Sequence, residues 1–293
     1  MLIVFNPAAG RRHRDRLEEM QAALAARGLR AELRETRSAG EATRLACDAA
    51  RSGETLVIAA GGDGTVAEVV NGLLAAPGGP RRCALGILPL GTANVLAHEL
   101  AIPFSAGGLA DLAQRRHTRP IWPGLLEQDG ATRAFVQMVG AGFDARVVHA
   151  VQPALKRRAG GLAYAWQALV EAGRYGYPCI EVVVDGVSTA THGIVVCKGR
   201  LYAGRFRLAP DATPLEPGFT TVLLDRPGAL AALACGLALP FGWVSRLPGV
   251  RLLPAREVRV MPGTAPVQAD GDPVGGGTFV IRPSGRPLDV LMN

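Results

Sequence analysis

Apolar positions along the first 118 residues follow two alternating rhythms. A short continuous apolar run at 2–5 reads as a buried strand, and Leu17, Met20 and Leu24 then recur at helical spacing within 14–27. The span 29–36 alternates Leu29, Ala31 and Leu33 in the manner of a half-buried strand. Ser38 precedes Glu41 by three residues, a capping-box signature for a helix ending near residue 51. A buried strand at 55–60, a helix at 66–75, a strand at 84–88 and a helix near 93–100 continue the series. Repeated strand–helix units of this length predict an α/β domain, a parallel sheet with helices on both faces.

From about residue 119 the pattern changes. Apolar runs at 125–127 and 134–139 flank Asp129-Gly130, and runs at 180–184 and 189–196 flank Asp185-Gly186; both are hairpin signals. Further short strands are predicted at 219–224, 250–253, 257–261, 267–269 and 278–282, between Pro and Gly punctuation. One helix, 162–174, interrupts them. The second domain, 119–283, is thus predicted as a β-rich antiparallel sandwich or barrel, and the first spans 1–118.

Nineteen uncharged residues lie between Arg226 and Arg246. Length alone permits a membrane span. Pro227, Gly228, Gly236, Pro240 and Gly242 interrupt the run, leaving an apolar helix of about 229–239. A run that short predicts a buried helix instead.

Composition narrows the class. Of the 293 residues 48% are hydrophobic and 19% charged, which excludes intrinsic disorder and fits two domains. The net charge is +7, and all basic residues but Lys156 and Lys198 are arginine. Such a balance suits phosphates, nucleic acid or an anionic membrane face, although GC-rich codon usage produces the same arginine excess. The five cysteines are scattered without a Cys-x-x-Cys pair, which argues against a disulfide framework or zinc ribbon. No signal-peptide pattern opens the chain, so the cytoplasm is the expected compartment.

The chemistry concentrates in loops that follow strands. Gly61-Gly62-Asp63-Gly64-Thr65 lies between a buried strand and a helix. Glycines there let backbone approach a ligand, and the helix N-terminus favours an anion. The plain alternative is a tight turn needing positive φ. Leu88-Pro89-Leu90-Gly91-Thr92-Ala93-Asn94 repeats the arrangement after the next strand, and Asn6-Pro7-Ala8-Ala9-Gly10 follows the first. Each of these two is an ordinary turn when taken alone. Consecutive strand ends share one edge of an open α/β sheet, where ligands bind. No Gly-Lys-Ser/Thr occurs, and no Gly-x-Gly-x-x-Gly follows the first strand, so neither a P-loop nor a dinucleotide fingerprint is present.

NPAAG at 6–10, GGDGTVAEVVNGL at 61–73, LGILPLGTANVLAHELAIP at 85–103 and GAGFDA at 140–145 together resemble the diacylglycerol kinase catalytic-domain family, in its bacterial soluble lipid kinase branch. Sphingosine kinases are similar. The resemblance implies an NAD-kinase-like α/β nucleotide domain, a β-rich domain after it, a site in the cleft between them, and a tail, 284–293, that returns to the first domain. It implies ATP and Mg²⁺ as cofactors and a lipid hydroxyl, diacylglycerol-like, as acceptor. It places Asn6, Thr36, Gly61, Gly62, Asp63, Gly64, Thr65, Val66, Ala67, Glu68, Gly91 and Thr92 at nucleotide-contacting positions. Glu68 reads equally as a helix-capping carboxylate.

In Asp270-Gly271-Asp272, spacing alone reads a hairpin turn. The family carries Asp-Gly-Glu here, and its last carboxylate is implicated as the base; Asp272 takes that role by resemblance, with Asp270 as rival. Two positions depart from the family. Its magnesium-associated Asp-Gly before strand 219–224 reads Glu216-Pro217-Gly218, which leaves the metal site unassigned. The usual Asp after GTAN is Val95.

Two rivals follow from these departures: a nucleotide- or lipid-binding homologue without catalysis, and a soluble small-molecule kinase of the NAD-kinase type. Peripheral membrane contact is expected through Lys156-Arg157-Arg158 with Tyr164 and Trp166, no nucleic-acid partner is expected, and a homo-oligomer is left open.

Overall fold

The computed structural model of the chain describes residues 1–7, 11–76, 83–151 and 161–293. It resolves into two compact units, Met1–Trp122 with Arg286–Asn293, and Pro123–Gly285. The first division lies four residues beyond 118, because β5 (Thr118–Ile121) pairs antiparallel with β20 (Leu288–Leu291) and so joins the first sheet.

The first unit is a sheet of β1 (Leu2–Phe5), β2 (Glu32–Glu35), β3 (Leu56–Gly61), β4 (Ala84–Pro89), β20 and β5, in the order β2-β1-β3-β4-β20-β5. All pairs except β20–β5 are parallel. Strands β1, β3 and β4 are buried along their whole length, as strands covered on both faces must be. Ile3, Phe5, Ile58 and Leu88 face α1 (Arg11–Ala25) and α5 (Ala106–Arg115), meeting Leu17, Met20, Leu24 and Leu109 in one core. Side chains alternate along a strand, so Val4, Val57, Ala59 and Ile87 are buried on the opposite face. There α2 (Glu41–Arg51) and α3 (Asp63–Ala75) pack together and onto β1 and β3.

Local signals account for most helix ends, with instructive exceptions. The Ser38–Glu41 capping box does not form as predicted. Gly40 is the N-cap at φ 81°, and the Glu41 carboxylate accepts the Arg37 amide at 2.7 Å, one residue further back. Helix α5 went unpredicted because Gly107 and Gly108 dilute its apolar spacing; Ser105 caps it, accepting the Gly108 amide at 3.2 Å. Helix α3 opens at Asp63, inside the glycine motif, three residues before its predicted start.

The second unit is a sandwich of two six-stranded antiparallel sheets. One is β10 (Val187–Thr191), β9 (Ile180–Val184), β16 (Val258–Met261), β19 (Phe279–Pro283), β6 (Gly124–Gln128) and β7 (Ala131–Phe135), in that order. The other is β15 (Val250–Ala255), β14 (Phe219–Leu224), β11 (Gly193–Cys197), β8 (Met138–Gly142), β17 (Val267–Ala269) and β18 (Asp272–Val274), and a separate hairpin pairs β12 (Leu201–Tyr202) with β13 (Phe206–Arg207). Their inner faces share a core that includes Phe135, Val182, Val196, Phe219 and Ile281. Asp129-Gly130, Asp185-Gly186 and Asp270-Gly271 each carry two positive φ angles, the type I′ turn whose twist suits a two-residue hairpin.

Helices α6 (Phe143–Ala150) and α7 (Gly161–Ala172) flank this sandwich, and α8 (Ala229–Ala238) leads into 3-10 turns at Leu239–Phe241 and Val244–Arg246. The prediction of a buried helix at 229–239 is corrected. Only one flank of α8 is backed, through Cys235, Ala238 and Leu239, while Leu230 and Leu237 are exposed. Among the described residues, no helix is long and apolar enough to cross a membrane.

The returning tail is fixed by more than its strand. Arg286 donates from Nη2 to the carbonyls of Leu73, Leu74 and Ala76 at 3.2, 2.7 and 2.5 Å, closing the C-terminal end of α3 with a cation where the helix dipole favours one. Arg286→Ala is expected to cost about 2 kcal/mol. Calorimetric melting checks this; an unchanged midpoint would show that β20 pairing alone holds the tail.

Candidate active site

In the first unit the expected residues gather at the carboxyl ends of β1–β4. The parallel register pairs Gly61 with Pro89, so the two loops that follow run side by side, tied by Leu90 N–H to the Gly61 carbonyl at 2.9 Å. Gly62 and Gly91 then touch through their backbones: a Cβ on Gly91 would lie 2.5 Å from Gly62 Cα, and one on Gly62 would lie 3.2 Å from Gly91 Cα. Gly61 packs as tightly against Thr65, whose Oγ1 would lie 2.4 Å from a Cβ there.

The polar residues of these loops mostly brace the loops themselves. Asn94, left-handed at φ 45°, accepts the Gly91 amide at 2.8 Å and donates to the Gly91 carbonyl at 2.7 Å. Asp63 accepts the Val95 amide at 2.7 Å, which caps α4 (Val95–Glu99) from a neighbouring loop. Asn6 donates to Thr65 Oγ1 at 3.3 Å, linking the first and third strand ends. Thr36 is buried and its hydroxyl donates to the Phe5 carbonyl at 3.4 Å. Glu68 takes the capping role: its carboxylate accepts the Ala42 amide at 3.1 Å in the first turn of α2.

What remains for a ligand is backbone. The first intrahelical bond of α3 runs from Val66 N–H to the Gly62 carbonyl, so the amides before it have no intrahelical acceptor. Val66 and Ala67 bury their side chains, and Thr92 is exposed. Val95, where the family carries Asp, is buried. Ala8, Ala9 and Gly10 lie outside the described residues.

In the second unit the two carboxylates of the late turn separate. Asp270 is buried and accepts the amides of Val136, Gln137 and Met138 at 2.9, 2.8 and 3.0 Å. Burial pushes its carboxyl up to about 6 against the pull of those three amides. Asp185 clamps Arg256 and Glu257 amides in the same way. Asp272, by contrast, is 47% exposed and pairs with Arg133 at 3.1 Å.

Sequence reasoning missed the strut behind this turn. Gln268 accepts the Gly271 amide at 2.8 Å and donates to Asp144 Oδ2 at 2.8 Å, and the Tyr202 hydroxyl donates to Asp144 Oδ1. Burial raises the Asp144 carboxyl above the usual range, opposed by the hydrogen bonds from Tyr202 and Gln268. A Cβ at Gly140 would lie 2.1 Å from Asp144 Oδ2, which explains a glycine in GAGFDA. The motif signalled Asp144; nothing local signalled Gln268 or Tyr202.

Before β14, the loop where the family resemblance implies a metal holds a different cation. Lys198, buried, donates from Nζ to the carbonyls of Glu216 and Gly218 at 2.5 and 2.8 Å and lies over the Phe219 ring. Burial pushes its ammonium down to about 8. Among the described residues, no group of three His, Cys, Asp or Glu side chains could hold a metal ion. The residues present do not fit a structural metal at that loop.

Two outcomes follow. Gly91→Ala forces the two loops apart and is expected to weaken the binding of ATP, the nucleotide the family resemblance implies, at least about tenfold, whereas Gly107→Ala, in α5, leaves it unchanged; calorimetric titration checks both, and equal affinities would refute the close-approach argument. Lys198→Met strands two carbonyls and is expected to cost about 2 kcal/mol, while EDTA leaves the wild-type melting midpoint where it is. A midpoint that falls in EDTA would contradict the assignment of this loop to Lys198.

Comparison with known proteins identifies both domains. Residues 1–125 match the diacylglycerol kinase catalytic domain, and residues 137–292 match the YegS C-terminal NAD kinase beta sandwich-like domain. The chain is 31% identical over 281 residues to a protein of Pseudomonas fluorescens named "Probable lipid kinase YegS-like", an alignment covering 91% of this chain and 88% of that one. Its fold is similar to the crystal structure of a Bacillus anthracis diacylglycerol kinase, with TM-score 0.71 and 18% identity over 100% of this chain and 96% of that one. It also resembles the NAD kinase of Archaeoglobus fulgidus in complex with ATP, with TM-score 0.54 and 16% identity over 100% and 93% of the two chains. On the strength of both matched domains, in order and over nearly its whole length, the chain belongs to the diacylglycerol kinase and YegS-like family of lipid kinases.

Proposed function

We propose that the chain transfers the γ-phosphoryl group of ATP to the hydroxyl of a membrane lipid, with a diacylglycerol-like acceptor. The observation that carries this reading is the close approach of Gly62 and Gly91 beside the start of α3, whose first amides have no intrahelical acceptor. Such a surface suits phosphate rather than a base-specific or apolar ligand. The likeness to an ATP-complexed NAD kinase and to proteins named lipid kinases supports ATP as donor and a lipid as acceptor.

Asp272 is assigned as the general base. It is the accessible carboxylate of the turn, whereas both Asp270 oxygens are occupied by backbone amides. In the proposed step Asp272 takes the proton of the lipid hydroxyl, and that oxygen forms a bond to the γ-phosphorus. The bond from the γ-phosphorus to the bridging oxygen breaks, and its electrons leave with ADP. Mg²⁺ that arrives with ATP supplies charge neutralisation on the phosphates. The family's glutamate is one methylene longer, so Asp272 serves if its backbone sits closer or a water relays the proton. Arg133 holds the carboxylate in place by donating to Asp272 Oδ2 at 3.1 Å.

Label transfer from γ-labelled ATP to a panel of diacylglycerol, monoacylglycerol, phosphatidylglycerol, a sphingoid base and NAD tests the reading. Transfer to one or more lipids is expected. Transfer to NAD alone would assign a soluble-substrate kinase, and ATP binding without transfer would assign a non-catalytic homologue. Asp272→Asn should lower turnover about 100-fold or more while leaving the melting midpoint near wild type. Asp270→Asn should act mainly through stability. Full activity in Asp272→Asn would remove it as the base.

A further inference from the structure

The uncharged segment between Arg226 and Arg246 has no place in the chemistry above, yet its structure is unusual. Helix α8 reads ALAALACGLA, without one polar side chain, and a helix apolar all round is normally buried. Here Leu230 is 85% exposed and Leu237 75% exposed. They stand seven residues apart, on one face. Close after the helix, Phe241 and Trp243 are 65% and 51% exposed and stack on each other at 4.9 Å. Helix α7, which packs against α8, adds exposed Trp166 and Leu169. A contiguous exposed set of this size marks a surface that something covers.

Charge identifies the cover. The segment begins and ends on arginine and contains no acidic residue. Exposed Arg205 and Arg207 flank Phe206 on the hairpin that packs against Leu239–Phe241, and Gly242 sits against the Arg207 stem. An apolar centre with aromatic residues and an arginine rim matches the boundary of an anionic bilayer, where the rings and leucines enter and the guanidinium groups meet phosphate. A second copy of the chain would set this positive rim against itself, which opposes a symmetric dimer.

We propose that α8 and the turns after it, centred on Leu230, Leu237, Phe241 and Trp243, lie in the interface of an anionic membrane as the docking surface of this protein. The proposal rests on the lipid-kinase reading for its purpose, since a membrane lipid must be met at the bilayer, but not for its physics. The basic cluster at 156–158, expected to make such contact, lies outside the described residues.

The test is co-sedimentation of the full chain with vesicles of phosphatidylcholine mixed with phosphatidylglycerol, against pure phosphatidylcholine. A variant carrying Leu230→Gln, Leu237→Gln and Phe241→Ser changes only exposed side chains, so its melting midpoint should stay near wild type. Wild type is expected to sediment with the anionic vesicles and to release in high salt. The variant should bind at least about tenfold more weakly, while phosphorylating a short-chain diacylglycerol without vesicles as fast as wild type. Wild-type failure to sediment, equal binding by the variant, or a wild-type dimer that the variant dissociates with vesicle binding intact would each overturn the docking surface. Loss of vesicle binding in the variant, with no transfer to the short-chain acceptor by wild type, would leave the surface standing and remove the kinase reading.

Discussion

The site depends on one steric constraint: two backbones must touch where side chains are normally required. Gly62 and Gly91 come so close that a single methyl on either has to displace the other. Parallel pairing of β3 with β4 sets the register, and Asn94 and Asp63 lock the following turns by hydrogen bonds to backbone. The acidic and amide side chains of the motif are therefore spent on shape. The amides are what the shape presents, and they favour an anion without a lysine or a side-chain cage.

The same division of labour recurs in the second unit. Of the two aspartates flanking Gly271, the buried one organises Val136–Met138 and the exposed one keeps a carboxylate in reach of solvent. Asp144 and Gln268 reach the turn from behind, so the turn is held on both sides. Lys198 replaces a bound ion with a covalently attached cation, which needs no metal and holds at any metal concentration. Asp270 and Lys198 are buried charges satisfied by backbone, the condition under which burial of charge is tolerable.

How much was legible in the sequence depended on how local the cause was. The alternating α/β pattern, the antiparallel second half and the Asp-Gly turns were readable because period and turn chemistry act within a few residues. The glycine loops were readable as a set, since consecutive parallel strand ends share an edge. Helix α5 was not, because its glycines hide a spacing that packing against α1 rescues. The Ser38 cap did not form because the helix starts at Glu41 with Gly40 as its N-cap, two residues after Ser38. Lys198 and the bond from Gln268 to Asp144 were invisible because those partners lie far along the chain. The exposed face of α8 was misread because apolar composition says that a surface is covered, not by what.

The central claim is that the Gly62–Gly91 contact builds a backbone cradle for nucleotide phosphate. Amide spectra of the isotopically labelled chain, titrated with a non-hydrolysable ATP analogue and Mg²⁺, test it most directly. The largest shifts are expected at Gly62–Thr65 and Gly91–Thr92. Saturable binding that leaves those amides unmoved would contradict it.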